Sequence, residues 1–175
     1  MEIRPIEPGD AERLQGFFDR VPEGDRTFFK EDVSDADVVA GWASDQRARR
    51  HLAVDGGAVV GYVAVIPLLG WSAHVGELRL VVDPSHRRTG LGRRLARVGL
   101  LQALELGLTK VSVEVVAEQE GAILMFQAIG FEAEALLRCH VRDRGGELRD
   151  LVLLAHLVDD TWSAMATAGL EDELT

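Results

Sequence analysis

The spacing of hydrophobic and polar positions changes period several times along the chain, between the alternation of strands and the three-to-four repeat of helices. Glu2 to Glu7 alternates and predicts a strand. Gly9-Asp10 then caps a helix that carries Ala11, Leu14, Phe17 and Phe18 on one face. The polar stretch 21–32 holds Pro22 and Gly24, after which Ser34 opens a second short helix with Val38, Val39 and Trp42. His51 to Val54 and Ala58 to Ile66 are β-rich runs on either side of Asp55-Gly56-Gly57, a hairpin signal. A turn at Leu69-Gly70-Trp71 leads into a strand from Val75 to Val82. Leu91, Leu95, Val98, Leu101 and Leu104 describe a helix ending at Gly107, and Lys110 to Val116 returns to a strand. Gly121 to Ile129 forms a last helix, stopped by Gly130. Two strands, Phe131 to Arg142 and Leu148 to Val158, flank the turn Asp143-Arg144-Gly145-Gly146. The alternation of elements predicts an α/β domain over residues 1–160, with a tail at 161–175.

Composition narrows the class. The 175 residues, 47% hydrophobic, suffice for a single core without disulfides or structural zinc, and the one cysteine, Cys139, could supply neither. Acids outnumber bases 29 to 19, a formal net charge of −10, which argues against a nucleic-acid binder or a binder of anionic membranes. The first ten residues carry acids and prolines where a secretion signal needs an apolar stretch, and no uncharged run approaches the ~20 residues of a membrane span. The expectation is a soluble, cytoplasmic protein whose anionic ligand, if it has one, meets a local basic patch.

That patch follows Pro84. In Leu80-Val81-Val82-Asp83-Pro84-Ser85-His86-Arg87-Arg88-Thr89-Gly90-Leu91-Gly92-Arg93 a strand enters a loop and then a helix start. The two glycines let the backbone approach a ligand, and the unpaired amides of the first helical turn point at one spot with the positive end of the helix dipole behind them. Arg87, Arg88, Arg93, Arg94 and Arg97 place five of the 19 basic side chains here. The chemistry suits a pyrophosphate. Leu95 stands where the dinucleotide fingerprint G-x-G-x-x-G needs its third glycine, and the Lys-Ser/Thr ending of a P-loop is lacking.

The segment resembles the GNAT superfamily of acyl-CoA N-acyltransferases. Their Q/R-x-x-G-x-G/A is matched by Arg87-Arg88-Thr89-Gly90-Leu91-Gly92, their L-x-V-x-P corresponds to Leu80-Val81-Val82-Asp83-Pro84, and their A-x-x-x-Y-x-x-x-G-F is represented from Ala122 through Phe126 to Gly130-Phe131. The resemblance implies a central mixed sheet of six to seven strands, flanked by about four helices and splayed where acetyl-CoA binds. It also implies that the co-substrate's pyrophosphate sits on the amides from Arg88 to Arg93. The pantetheine arm would pair like an extra strand with the backbone of Leu80, Val81 and Val82. Thr89, Leu91, Gln119 and Phe126 complete the implied cofactor-binding set, and no metal is implied.

Transfer to an amine requires that amine neutral, and an ammonium of pKa near 10.4 is more than about 99.9% protonated at neutral pH, so a base helps. Glu114 is the first candidate, on the face of its strand opposite Val111, Val113 and Val115, and resembles the glutamate of enzymes that modify protein N-termini. Glu77, near Arg79, is the second, with a surface ion pair as its other reading. His74, His140 and His156 read as packed or solvated. Two departures stand out: Phe126 occupies the place of a tyrosine that protonates the leaving thiolate, and Gln119 that of an asparagine. Phe28, Phe29, Trp42, Trp71 and Trp162, with Glu31, Asp32, Asp35 and Asp37, are candidates for receiving a cationic acceptor. The expected activity is acetyl transfer from acetyl-CoA to a primary amine of a small molecule or peptide. The alternative is a catalytically weak CoA-binding module whose tail, with Trp162, Met165 and Leu170, makes a partner or homodimer contact.

Overall fold

The computed structural model describes residues 1–22, 25 and 29–158. The expectations for Phe28 and for the tail with Trp162, Met165 and Leu170 lie outside these residues. The strands are β1 (Glu2–Pro5), β2 (Arg49–Asp55), β3 (Ala58–Pro67), β4 (Val75–Val82), β5 (Lys110–Val116), β6 (Glu132–Arg142) and β7 (Leu148–Leu157). They form one mixed sheet in the order β1-β2-β3-β4-β5-β7-β6, antiparallel except for the β4–β5 pair. The described α-helices are α1 (Ala11–Arg20), α2 (Ala36–Gly41), α3 (Leu91–Glu105) and α4 (Glu120–Gln127).

Each face of the sheet has its own core. On one, α1 and α2 bring Leu14, Phe17, Phe18, Val39 and the adjoining Trp42 onto Leu52, Val59, Tyr62 and Val81. On the other, α3 and α4 cover Val63, Val65, Leu78, Val111, Val113, Val115 and Leu154. The period-two alternation of β4 therefore sends Leu78 to the α3 side, while Glu77, Arg79 and Val81 share the opposite face. The same parity on β5 sets Ser112 and Glu114 against the buried valines 111, 113 and 115.

Two local expectations need correction. Asp35, not Ser34, caps α2, its carboxylate accepting the Asp37 amide at 2.9 Å. Trp42 accordingly falls in the 3-10 turn after that helix. The buried stripe of α3 is Leu91, Leu95, Ala96, Gly99, Leu100 and Ala103, and Val98, Leu101 and Leu104 sit on its flanks. Small residues bring this helix close to the sheet: a Cβ at Gly99 would lie 2.7 Å from Leu78 Cδ1 and 3.3 Å from Val63 Cγ2. Reading the stripe from large side chains alone rotates it away from the sheet.

Candidate active site

β4 and β5 pair over only three positions, Val75 with Lys110, Gly76 with Val111 and Glu77 with Ser112. Beyond Glu77 they part, although β4 remains paired to β3 as far as Val82 with Gly61. The edge of β4 from Leu78 to Val82 that faces β5 thus has no strand partner among the described residues. A cleft of about 750 Å³ occupies the gap, lined by Leu78 to Val82 on one side and Val113, Glu114 and Val115 on the other.

At the mouth of the cleft, α3 begins. Gly90, its N-cap, has φ +85°, a left-handed conformation that glycine adopts without steric cost. The first intrahelical bond runs from the Arg94 amide to the Gly90 carbonyl at 3.1 Å, which leaves the amides of Leu91, Gly92 and Arg93 directed off the helix end. Arg87, Arg88 and Arg93 line the cleft beside them. Arg94 and Arg97 do not; Arg94 points toward Met1, its Nη1 lying 3.7 Å from Sδ. Thr89 and Leu91 also stay out of the lining, the hydroxyl of Thr89 donating to the His86 carbonyl at 2.7 Å and Leu91 being buried in the core. At Leu91 only the backbone is available to a ligand, and the Thr89 hydroxyl proton is already engaged.

Asp25, Phe29 and Lys30, from between α1 and α2, also line the cleft. Asp25 accepts from the Arg87 guanidinium through one oxygen and from Gln119 Nε2, at 3.3 Å, through the other. Phe29 lies edge-on to Phe18, 5.3 Å between ring centroids. Trp42 is core rather than cleft, stacked on Tyr62 at 5.1 Å, and Trp71 is fully exposed on the β3–β4 connection.

Glu77 and Glu114 meet where the strands part. Lys30 Nζ stands between them, donating to Glu77 Oε2 at 2.9 Å and to Glu114 Oε1 at 3.2 Å. Arg79 Nε donates to Glu77 Oε1 at 2.8 Å and its Nη1 pairs with Glu31. Glu77 is no surface carboxylate: its side chain is 13% exposed, against 28% for Glu114. Burial pushes the Glu77 carboxyl up, yet the hydrogen bonds and charges of Arg79 and Lys30 outweigh it and hold the group below the usual carboxylate range. Burial likewise pulls the Lys30 ammonium down, and Glu77 with Glu114 more than offsets this. Phe126 lines the inner wall, 3% exposed, with its ring against Phe131. The chain's one tyrosine, Tyr62, is entirely buried in the α1-side core, where loss of hydration pushes its hydroxyl pKa well up.

The sequence reading named both carboxylates, the Glu77–Arg79 pair and the loop, but missed Lys30, which joins the two carboxylates, and Asp25, which joins Arg87 to Gln119. Lys30 is 47 residues from Glu77 and 84 from Glu114, and no local pattern connects them.

The Acetyltransferase (GNAT) family profile matches residues 15–131. Among curated relatives, N-acetyltransferase 8 of Rattus norvegicus is 30% identical over 100 residues, covering 55% of this chain and 45% of that protein. This chain aligns with under half the length of that relative. Ribosomal-protein-alanine N-acetyltransferase from Brucella melitensis superposes with a TM-score of 0.80 at 22% identity, covering 90% of this chain and 99% of that one. The protein yncA from Salmonella typhimurium, solved with its cofactor acetyl-CoA, gives a TM-score of 0.78 at 18% identity over 91% of this chain and 94% of its own. These likenesses establish a shared fold. With the profile spanning two thirds of the sequence, across the split strands and the glycine loop, the chain belongs to the acetyltransferase (GNAT) family.

Proposed function

We propose that the protein transfers an acetyl group from acetyl-CoA to a primary amine of a small molecule or peptide. The observation that carries this reading is the parted β4–β5 pair with a helix N-terminus and three arginines at one end and two carboxylates at the other. The residues fit the co-substrate. The amides of Leu91, Gly92 and Arg93, with Arg87, Arg88 and Arg93 side chains, would take the pyrophosphate, and the open edge at Leu80, Val81 and Val82 would pair with the amide-bearing pantetheine arm. Thr89 would contribute backbone to the loop, and Gln119 and Phe126 would border the arm. The thioester end then reaches the place where the strands part, beside Glu77 and Glu114. The bound neighbour yncA supports the same choice of co-substrate.

In this reading Glu114 accepts the proton of the incoming ammonium. Glu77, held ionised by Arg79 and Lys30, supplies countercharge rather than basicity. The amine's lone pair forms the new C–N bond, the C–S bond breaks with the sulfur keeping the electron pair, and the nitrogen's second proton passes to that sulfur by way of solvent. A thiol of pKa about 8.5 needs little help to leave, which suits a wall made of Phe126 and a sole tyrosine buried elsewhere.

Thiol release from acetyl-CoA with a panel of amines and peptides tests the reading. Glu114→Gln is expected to lower turnover by about 10²- to 10⁴-fold at neutral pH, with the deficit shrinking as pH rises and the amine deprotonates unaided. Tight acetyl-CoA binding with no thiol release across the panel would favour the non-catalytic binding module instead.

A further inference from the structure

The chain is poor in lysine. Of its 19 basic residues 17 are arginine, and Lys30 and Lys110 are the only two lysines. Arginine and lysine make comparable surface ion pairs, but only the lysine ammonium can be deprotonated by a neighbouring base and act as a nucleophile. One of the two sits in the transfer cleft, with Nζ within hydrogen-bond distance of both carboxylates there. The other pairs with Glu134 at 2.6 Å and is absent from the cleft lining.

Resting on the acetyltransferase reading above, we propose that Lys30 is an acceptor of the protein's own acetyl group, becoming Nε-acetyl-lysine when acetyl-CoA is bound and no outside amine fills the site. Its Nζ occupies the position, between Glu114 and Glu77, that an acceptor amine must reach. Holding nucleophile and base within one cleft replaces a bimolecular encounter with an intramolecular one. The Lys30 ammonium passes a proton to Glu114, the freed lone pair forms the C–N bond to the thioester carbonyl carbon, and the C–S bond breaks. As the amide forms the nitrogen gives up its second proton to solvent, the departing sulfur takes one up from solvent, and Glu114 returns its own to water. The pairing that holds Lys30 charged makes this transfer slower than transfer to a good external acceptor. Acetylation abolishes the positive charge and with it both ion pairs.

Peptide mass mapping of the whole protein, incubated with acetyl-CoA and no added amine, tests the inference. Lys30 is expected to acquire acetyl roughly tenfold or more faster than Lys110 or the Met1 amine, with a first-order rate constant unchanged on dilution of the protein. Lys110 serves as the internal control for uncatalysed acetylation. Glu114→Gln is expected to slow Lys30 labelling by a similar factor or more, and Gly92→Asp to bring it down to the Lys110 rate. Equal labelling of both lysines, or a rate constant proportional to protein concentration, overturns the inference. An unlabelled Lys30 in a protein that acetylates free amines overturns it while leaving the proposed function standing, whereas no transfer to any amine overturns both.

Discussion

Residue by residue, the cleft divides its work between groups that hold charge and groups that lack it. Phe126 lines the cleft wall, packed against Phe131 with 3% of its surface exposed, and under the proposed function it stands where a phenol would offer a proton to the leaving sulfur. If thiolate departure is unaided, Phe126→Tyr is expected to raise turnover no more than about threefold, most at low pH, because a phenol of pKa about 10 adds little to a thiol of pKa about 8.5. Steady-state turnover of both proteins between pH 6 and 9 checks this, and a gain of a hundredfold would show that proton delivery limits the wild type. Asp10 illustrates a structural carboxylate. It accepts both Nη atoms of Arg4 at 2.6 Å and the Glu7 amide at 2.9 Å, with its side chain 3% exposed. The Arg4 hydrogen bonds, with the amide and against the cost of burial, hold its carboxyl below the usual range. A carboxyl whose pKa falls on folding stabilises above its unfolded pKa and loses that contribution as pH drops through the folded one. Asp10→Asn should therefore cost about 1.5–3 kcal/mol in urea unfolding at pH 7, and less at pH 3, which lies below the pKa of about 3.9 of an unfolded aspartate. An equal difference at both pH values would exclude the charged pair as its source.

Among the elements, α3 and the β4–β5 pair do the positioning. The close seat of α3 on β3 and β4 depends on Ala96, Gly99 and Ala103, all facing the sheet. Gly99→Leu would drive a branched side chain into Leu78 and Val63 and is expected to destabilise the fold by about 1–3 kcal/mol, measured by thermal or urea unfolding. Unchanged stability would mean that the helix can shift outward freely. The elements themselves were legible in the sequence because their periods and turn residues agree: the hairpin at Asp55-Gly56-Gly57, the strand into the Pro84 loop and the helix from Leu91 all stand where spacing placed them. The inward stripe of α3 was not, since glycine and alanine carry no hydrophobic signature to mark it. The parting of β4 and β5 was implied by the family resemblance alone; that they pair over three positions first could not be read from spacing, because register between strands separated by a whole helix depends on tertiary packing.

For the whole molecule, the acidic total and the basic loop are reconciled by segregation. A net charge of −10 coexists with a cleft mouth carrying Arg87, Arg88 and Arg93, so a chain acidic in total offers an anion a local basic seat. Charge composition alone pointed to such a patch, and the glycine spacing located it. The cluster of Lys30, Glu77, Glu114, Arg79 and Glu31 at the other end draws on two strands and a connecting segment, and only folding brings them together. The central claim is that the N-terminus of α3 seats the pyrophosphate of acetyl-CoA. Calorimetric titration of acetyl-CoA into the wild type, Gly90→Asp and Gly92→Asp tests it most directly. Aspartate tolerates the left-handed backbone at Gly90 and meets open space there, while at Gly92 it meets the yielding side chain of Met125 at 3.2 Å, so both variants should fold. Saturable binding by the wild type, lost by about a hundredfold or more in both folded variants, is the predicted result. Equal affinity in all three proteins would contradict the account.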